Sequence, residues 1–471
     1  MGPDRDRNLE ELGSARPGKL LFKYSWPALV AMTLNALYVV VDRIFIGQGC
    51  GVDAIAGMTL SMPLMMLFGA FGVFVGAGHS SILSIKLGEG DRPACEKILG
   101  QLIAFKLAFF FVIPPLVFIF LDEVLGLCGA DKLTPEALAS AKTYLRLVLF
   151  SHLFSHLAFG LSALQRAEGA AKKSMMAMVV GFGANLILDP ILIFGFGMGI
   201  AGAAWATNIA MVLSCGWAMQ YYLRGTTAVR LSFRRIGFYR EYAVKAAGIG
   251  FGPFLQQLLS AMIAVSMQLA FSKWVADKAQ CTAQIASLGV FQSVLILTVL
   301  PILGTQQGLQ PIIGFNWGAR QFRRVRGTMD LGFWVTGVLC CLACFVQVVP
   351  PFPQLLSRMF VSDPAMVSLA AKDLQLANCM LWCIWLNIVA TTYFQSIGRP
   401  KTAIMLSVLR QGVIMIPCIL FLPHFIDDKT FAIWLCMPVS DVAAFLATIP
   451  PVLAHRRFLG KVRDYRRKTT I

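Results

Sequence analysis

Twelve long apolar runs dominate this sequence. A transmembrane helix needs about 20 predominantly apolar residues, and every one of these runs reaches that length. They are too long for barrel strands and lack the alternating pattern of lipid-facing strands. The sequence therefore predicts an all-α polytopic membrane protein with twelve transmembrane helices. The predicted spans are 20–47, 55–85, 97–121, 138–164, 174–194, 201–223, 243–271, 284–313, 329–349, 367–394, 403–423 and 431–453.

The amino-acid composition indicates that lipid surrounds most of the protein surface. The chain is 57% hydrophobic and 14% charged, whereas a soluble domain carries about 25% charged residues. So few charges cannot coat a water-exposed surface of this size. The formal net charge of +17 does not indicate a nucleic-acid partner, because the basic residues lie in short segments between the apolar runs.

The same basic residues orient the chain. An even number of spans places both termini on one side of the membrane. The tails, loops and adjoining span ends on that side hold thirty Lys and Arg residues, and the opposite loops hold five. By the positive-inside rule we expect both termini in the cytoplasm of a cell that carries this protein in its plasma or inner membrane.

The chain divides into two similar halves. Gly88 and Gln165 lie at turns after spans 2 and 4, and Gly318 and Gln395 follow at the same offset of 230 in the second half. Both halves start on the same side, which predicts a parallel repeat around a central cavity suited to alternating access. The predicted parts are a tail at 1–19, a first lobe at 20–223, a linker at 224–242, a second lobe at 243–453 and a basic tail at 454–471.

Polar residues at one depth of the first half suggest an ion site. A charge deep in the bilayer costs about 2.5–3.5 kcal/mol and is usually functional. Asp42 in span 1 and Asp189 in span 5 each lie about five residues, or roughly 7–8 Å, from the outer ends of their spans. Asn185 shares the face of Asp189, and Thr207 in span 6 lies at a matching depth. These four side chains can bind a small cation such as Na⁺, or the two acids can hold a proton.

An interfacial position near the helix ends is the alternative for both acids, and Arg43 favours it for Asp42. The second half lacks this constellation, since an offset of 226 places Gln268 where Asp42 would be. We therefore assign the ion chemistry to the first half.

Other polar residues suggest a substrate cavity. Asp441 in span 12 either meets a cationic substrate or pairs with Arg410 of span 11, and we favour the pair. His152 and His156 are four residues apart, which suits a structural pair better than a zinc site without a third ligand. Glutamines in spans 7 and 8 either line a polar cavity or join helices. The candidate cavity residues are Tyr38, Gln256, Gln257, Gln306 and Asp441.

Motifs of enzymes are absent from the sequence. It contains no nucleotide-binding loop, zinc-protease helix or Gly-x-Ser-x-Gly elbow. We expect no enzymatic activity and no cofactor, so that uphill transport would depend on an ion gradient.

Four segments form a recognisable set: VDRIFIG at 41–47, NLILDP at 185–190, GAAWAT at 202–207 and QPIIGFNWGA at 310–319. They resemble the multidrug and toxic compound extrusion (MATE) family, in particular its bacterial and archaeal branch with a cation site in the N-terminal lobe. The resemblance covers about residues 20–455. It implies two six-helix lobes, antiport of drugs against H⁺ or Na⁺, and a cation site at Asp42, Asn185, Asp189 and Thr207. It also implies a hinge at Pro27 in span 1.

The sequence thus predicts a monomeric exporter of drug-like, often cationic amphipathic molecules that exchanges them for H⁺ or Na⁺. A flippase for lipid-linked precursors is a rival with a related architecture. A cationic cavity suits such a flippase, but the intramembrane cations are few here. A channel or a membrane-embedded enzyme is the rival from another class, and no filter or catalytic motif supports it.

Overall fold

The structure, a computed structural model, describes residues 3–127, 134–224, 227–361 and 363–469. Side chains up to residue 8, from residue 459 and at scattered positions, Arg43 among them, lie outside the described set. The described chain is largely helical. Its α-helices are α1 (Pro3–Ser14), α2 (Pro17–Glu89), α3 (Arg92–Ile119), α4 (Leu121–Leu127), α5 (Pro135–Ala167), α6 (Ala171–Pro190), α7 (Gly199–Leu223), α8 (Arg240–Trp274), α9 (Lys278–Gly318), α10 (Phe322–Val348), α11 (Phe352–Arg358), α12 (Pro364–Asn378), α13 (Ile384–Ser396), α14 (Pro400–Val408), α15 (Ile416–Phe425) and α16 (Lys429–Thr469).

Eleven helical segments within the described residues are long and apolar enough to cross a membrane. They correspond to predicted spans 2 to 12, and the first of them starts inside α2 at Leu60. The remaining predicted span, 20–47, forms the first part of α2, which is helical without a break over 73 residues.

Helix α2 turns back on itself and so supplies two spans. A straight helix of this length would extend for about 110 Å. Tyr24, in its first part, donates a hydrogen bond to the carbonyl of Gly169, just beyond the end of α5. Gly57 lies against the first turns of α5, whereas Gly76 lies near its last turns again. The second part therefore runs parallel to α5, back towards the side from which α2 came.

Local signals set several helix ends. The N–H of Ala94 donates to the Asp91 carboxylate at 3.1 Å, which caps α3, and the N–H of Ala137 donates to the Thr134 hydroxyl at 3.2 Å at the start of α5. Gly90 ends α2 with φ of 78°, a conformation that glycine adopts without strain.

Spans 5 and 11, which occupy corresponding positions in the two halves, both contain irregular helical turns. A π-helix at Ile191–Gly195 follows Pro190 in span 5, and another at Leu409–Met415 precedes Pro417 in span 11. Proline cannot donate the backbone hydrogen bond of a regular α-helix, and π-turns accommodate such a loss. Span 10, predicted as one run, is broken into α12 and α13 by a 3₁₀ turn at Leu381–Cys383.

The chain packs as two compact units. Unit 1 comprises residues 1–16, 22–250 and 314–320, and unit 2 comprises 17–21, 251–313 and 321–471. Unit 1 thus extends through the predicted linker and into the first turns of α8. Each unit has its own apolar core: Ile46 and Val148 belong to a cluster in unit 1, and Trp434 is fully buried in a cluster of unit 2.

Candidate cation site

Helices α2, α6 and α7 of unit 1 bring the four predicted cation ligands together. Gly202 makes this arrangement possible, because a Cβ there would lie 2.9 Å from the backbone of Leu192. The start of α7 can therefore approach the π-helix that follows Asp189. Asp42, Asn185, Asp189 and Thr207 are all buried, and none is more than 6% exposed.

The two acids are direct neighbours. The Asp42 carboxyl lies close enough to that of Asp189 for the two to share a hydrogen bond. Asn185 donates from its amide to one oxygen of Asp189 at 3.1 Å. The other oxygen of Asp189, Oδ2, accepts no hydrogen bond from the described residues. Two buried carboxylates in contact repel each other unless a proton or a cation lies between them.

Hydroxyl groups complete the site. The Tyr38 hydroxyl lies 3.3 Å from that of Thr207, and its ring stacks on Phe182 with centroids 5.3 Å apart. Carboxylate, amide and hydroxyl oxygens are ligands that hard cations prefer. The arrangement can therefore hold either one small cation or one shared proton. We predicted from the sequence that Tyr38 lines a substrate cavity. In the structure it lies at this site, one turn from Asp42.

Pro27, the predicted hinge, is buried in the first part of α2. It lies on the same helical segment as Asp42, fifteen positions earlier. A change in packing at either position is therefore transmitted along one stretch of helix. The hinge role itself stays a prediction.

A third buried acid of unit 1 was not predicted from the sequence. Glu168 lies in the turn between α5 and α6, and its side chain is 1% exposed. The Tyr221 hydroxyl donates to it at 3.5 Å. Burial raises the pKa of Glu168 from 4.5 to about 8, although hydrogen bonds from Tyr222 and from the backbone at Val229 oppose the shift. A charged residue in a short turn gives no sequence signal of burial, because the covering residues come from distant segments.

This acid predicts a pH dependence of stability. Between pH 4.5 and 8 the folded protein keeps the proton on Glu168 while the unfolded chain loses it, so the free energy of unfolding falls as pH rises. Glu168→Gln removes this titration and should flatten the decline, an effect of up to a few kcal/mol. Thermal unfolding in detergent from pH 5 to 9 measures it, with the exposed Glu123→Gln as control. If the unfolding midpoint falls equally steeply with pH in wild type and in Glu168→Gln, the raised pKa of Glu168 is contradicted.

The polar candidates of unit 2 do not form a second ion site. Asp441 pairs with Arg410 at 2.8 Å, as the favoured interpretation had it. Gln256 and Gln257 are exposed on α8, and Gln306 is half-buried on α9.

The histidines of unit 1 pack among aromatic rings. His152 and His156 lie with ring centroids 5.6 Å apart. Phe109 stacks on His156, and Phe68 packs edge-on against His152. Among the described residues no group of three or more His, Cys, Asp or Glu side chains is placed to hold a metal ion.

The fold, two similar halves of membrane-spanning helices with buried acids in the first, defines a multi-pass membrane transporter. The chain belongs to the MatE family, whose model matches it twice, at residues 27–191 and 258–420. The two matches start 231 residues apart, which confirms the internal repeat.

Known proteins agree with this assignment. The multidrug export protein MepA of Staphylococcus aureus (strain N315) is 26% identical over 433 residues, which is 92% of each chain. A crystal structure of a MATE protein in the bent conformation superposes with a TM-score of 0.87 at 20% identity, over 97% of this chain and 98% of that one. A structure described as "protein A" is 30% identical, with a TM-score of 0.83 over 94% and 97% of the two chains.

Proposed function

We propose that this protein is a multidrug exporter that exchanges amphipathic, often cationic, small molecules for H⁺ or Na⁺. The buried Asp42–Asp189 pair is the observation that carries the proposal, because two carboxyl groups in contact favour binding of one positive ion. The relatives named multidrug export proteins support the substrate class. The protein works as a monomer in the cell membrane with both termini in the cytoplasm.

The ion drives transport by changing the first part of α2. From outside, H⁺ or Na⁺ binds between Asp42 and Asp189 and removes their repulsion. The packing of α2 around Pro27 changes, substrate affinity falls, and the substrate leaves outward. A ligand drives such a change only if its affinity differs between the two conformations. Ion and substrate must therefore favour opposite conformations.

Reconstituted vesicles test this exchange. Purified protein is reconstituted in liposomes, and ethidium transport is followed under a pH gradient. Separate vesicles are given a sodium gradient instead. One gradient should drive ethidium uphill, and dissipating it with the matching ionophore should stop the transport. Ethidium movement that ignores both gradients would overturn the proposal.

The rivals give different results in the same vesicles. A channel would pass current without counter-ion coupling. A flippase would move lipid-linked precursors and leave ethidium in place. Lys106, which donates to the carbonyl of Gly72, and Arg410, which pairs with Asp441, are two of the few intramembrane cations. They are already engaged within their units, so they offer little to a polyanionic lipid.

A further inference from the structure

A groove runs along an exposed, apolar face of α10 in unit 2. Its volume is about 940 Å³, at the upper end of the roughly 300–1,000 Å³ of small-molecule sites. Its walls are apolar and aromatic, and Trp334 is 76% exposed. The main lining residues are Phe333, Trp334, Val338, Leu342, Phe345 and Trp385.

The groove has a fixed shape. Trp385 forms its floor and is held by Phe333, with ring centroids 5.5 Å apart. Gly337 lies over this indole and leaves space that a larger side chain would occupy. Phe345, which also lines the groove, packs against Phe352. From Asp330 to Phe345 the groove extends for roughly 22 Å along the helix, more than one leaflet of a hydrocarbon core that is about 30 Å thick.

The charged residues that line the groove, Asp330 and Arg456, lie at the end away from Phe345. Arg456 of α16 donates to the Asp330 carboxylate at 2.6 Å, and Arg326 lies 3.8 Å from the same group. Two guanidinium groups around one carboxylate leave a net positive charge. Arg456 is partly exposed and uses one of its five N–H donors on Asp330, so donors remain for a further anion.

We propose that this groove binds one anionic phospholipid, with an acyl chain along α10 and the phosphate at Arg456. Basic pockets between transmembrane helices bind anionic headgroups in this manner. A site that opens into the hydrocarbon and carries its positive charge only at one end suits a lipid. The same positive charge disfavours cationic amphiphiles, which are the substrates of the proposed function, so the groove suits an anionic lipid better than such a drug.

Native mass spectrometry of the purified, full-length protein tests the site with phosphatidylglycerol and phosphatidylcholine of equal chain length. Wild type should retain one phosphatidylglycerol several-fold more tightly than phosphatidylcholine. Arg456→Gln should weaken phosphatidylglycerol binding about fivefold and leave phosphatidylcholine unchanged. The neighbouring exposed Arg457→Gln, which lies outside the groove, is the matched control and should bind like wild type.

A second pair of variants tests whether the apolar part of the groove binds an acyl chain. Gly337→Leu fills the groove and should weaken both lipids about tenfold, whereas Gly327→Leu on the same helix, with open space around it, should not. Equal retention of the two lipids by wild type would overturn the proposal. So would displacement of the bound lipid by ethidium, which would make the groove a drug site.

Discussion

Asp42→Asn should reduce ethidium export to the level of protein-free vesicles while the protein stays folded. The amide has the shape of the carboxyl group but holds neither a proton nor a cation in the same way. Asp189 alone then faces a neutral neighbour, and the repulsion that drives ion binding is gone. Because the substitution also removes a buried acid from contact with another, we expect unfolding midpoints equal to or above those of wild type. Vesicle efflux under the effective gradient measures the loss.

Asp122→Asn is the matched control for this experiment. Asp122 carries the same side chain at an exposed position on α4, where it pairs with Lys142 at 2.7 Å. Such surface pairs contribute about 0–1 kcal/mol, so export should be unchanged. Export by Asp42→Asn at the wild-type rate and at equal protein content would refute the coupling role.

Arg410→Met should cause a large loss of stability in unit 2. Asp441 is 3% exposed and Arg410 about a quarter exposed. Removal of the cation leaves a buried carboxylate without compensation, which costs about 3 kcal/mol at the lower end of the range for buried pairs. For a unit of this size that corresponds to a fall in the unfolding midpoint of roughly 6–12 °C. Thermal unfolding in detergent measures it.

The double variant Arg410→Met/Asp441→Leu separates charge from packing. Replacing both partners by apolar residues of similar size should return the midpoint to within a few degrees of wild type, because no buried charge is left. A single Arg410→Met variant as stable as wild type would show that the pair does not hold spans 11 and 12 together. The same unfolding measurements distinguish a structural Arg410–Asp441 pair from a substrate-binding Asp441. Only a structural pair predicts that the double variant regains the stability lost in Arg410→Met.

The positions of the spans and the common depth of Asp42 and Asp189 followed from the sequence for one physical reason. Lipid imposes a minimum apolar length, and helix rise is constant, so counting residues gave a common depth for Asp42 and Asp189. The structure brings these two acids into contact. The choice between H⁺ and Na⁺ does not follow, because the same oxygen groups suit both.

Features that depend on tertiary contacts were not predictable. The break in span 10 falls at residues without Gly or Pro, where the Cys344 thiol donates to the carbonyl of Asn378 at 3.3 Å. The turn of α2 passes through a glycine-rich stretch that was expected to be a loop but is helical. Burial of Glu168 likewise depends on Tyr221 and on the distant segment at 228–229.

Ion release on substrate binding is the most direct measurement of a shared ion between Asp42 and Asp189. Purified protein is mixed with ethidium in weakly buffered solution, and released H⁺ is followed with a pH indicator or released Na⁺ with a tracer. Wild type should release about one ion for each protein molecule, by the competition that exchange requires, and Asp42→Asn and Asp189→Asn should release none. Undiminished release from both variants would show that the exchanged ion binds elsewhere.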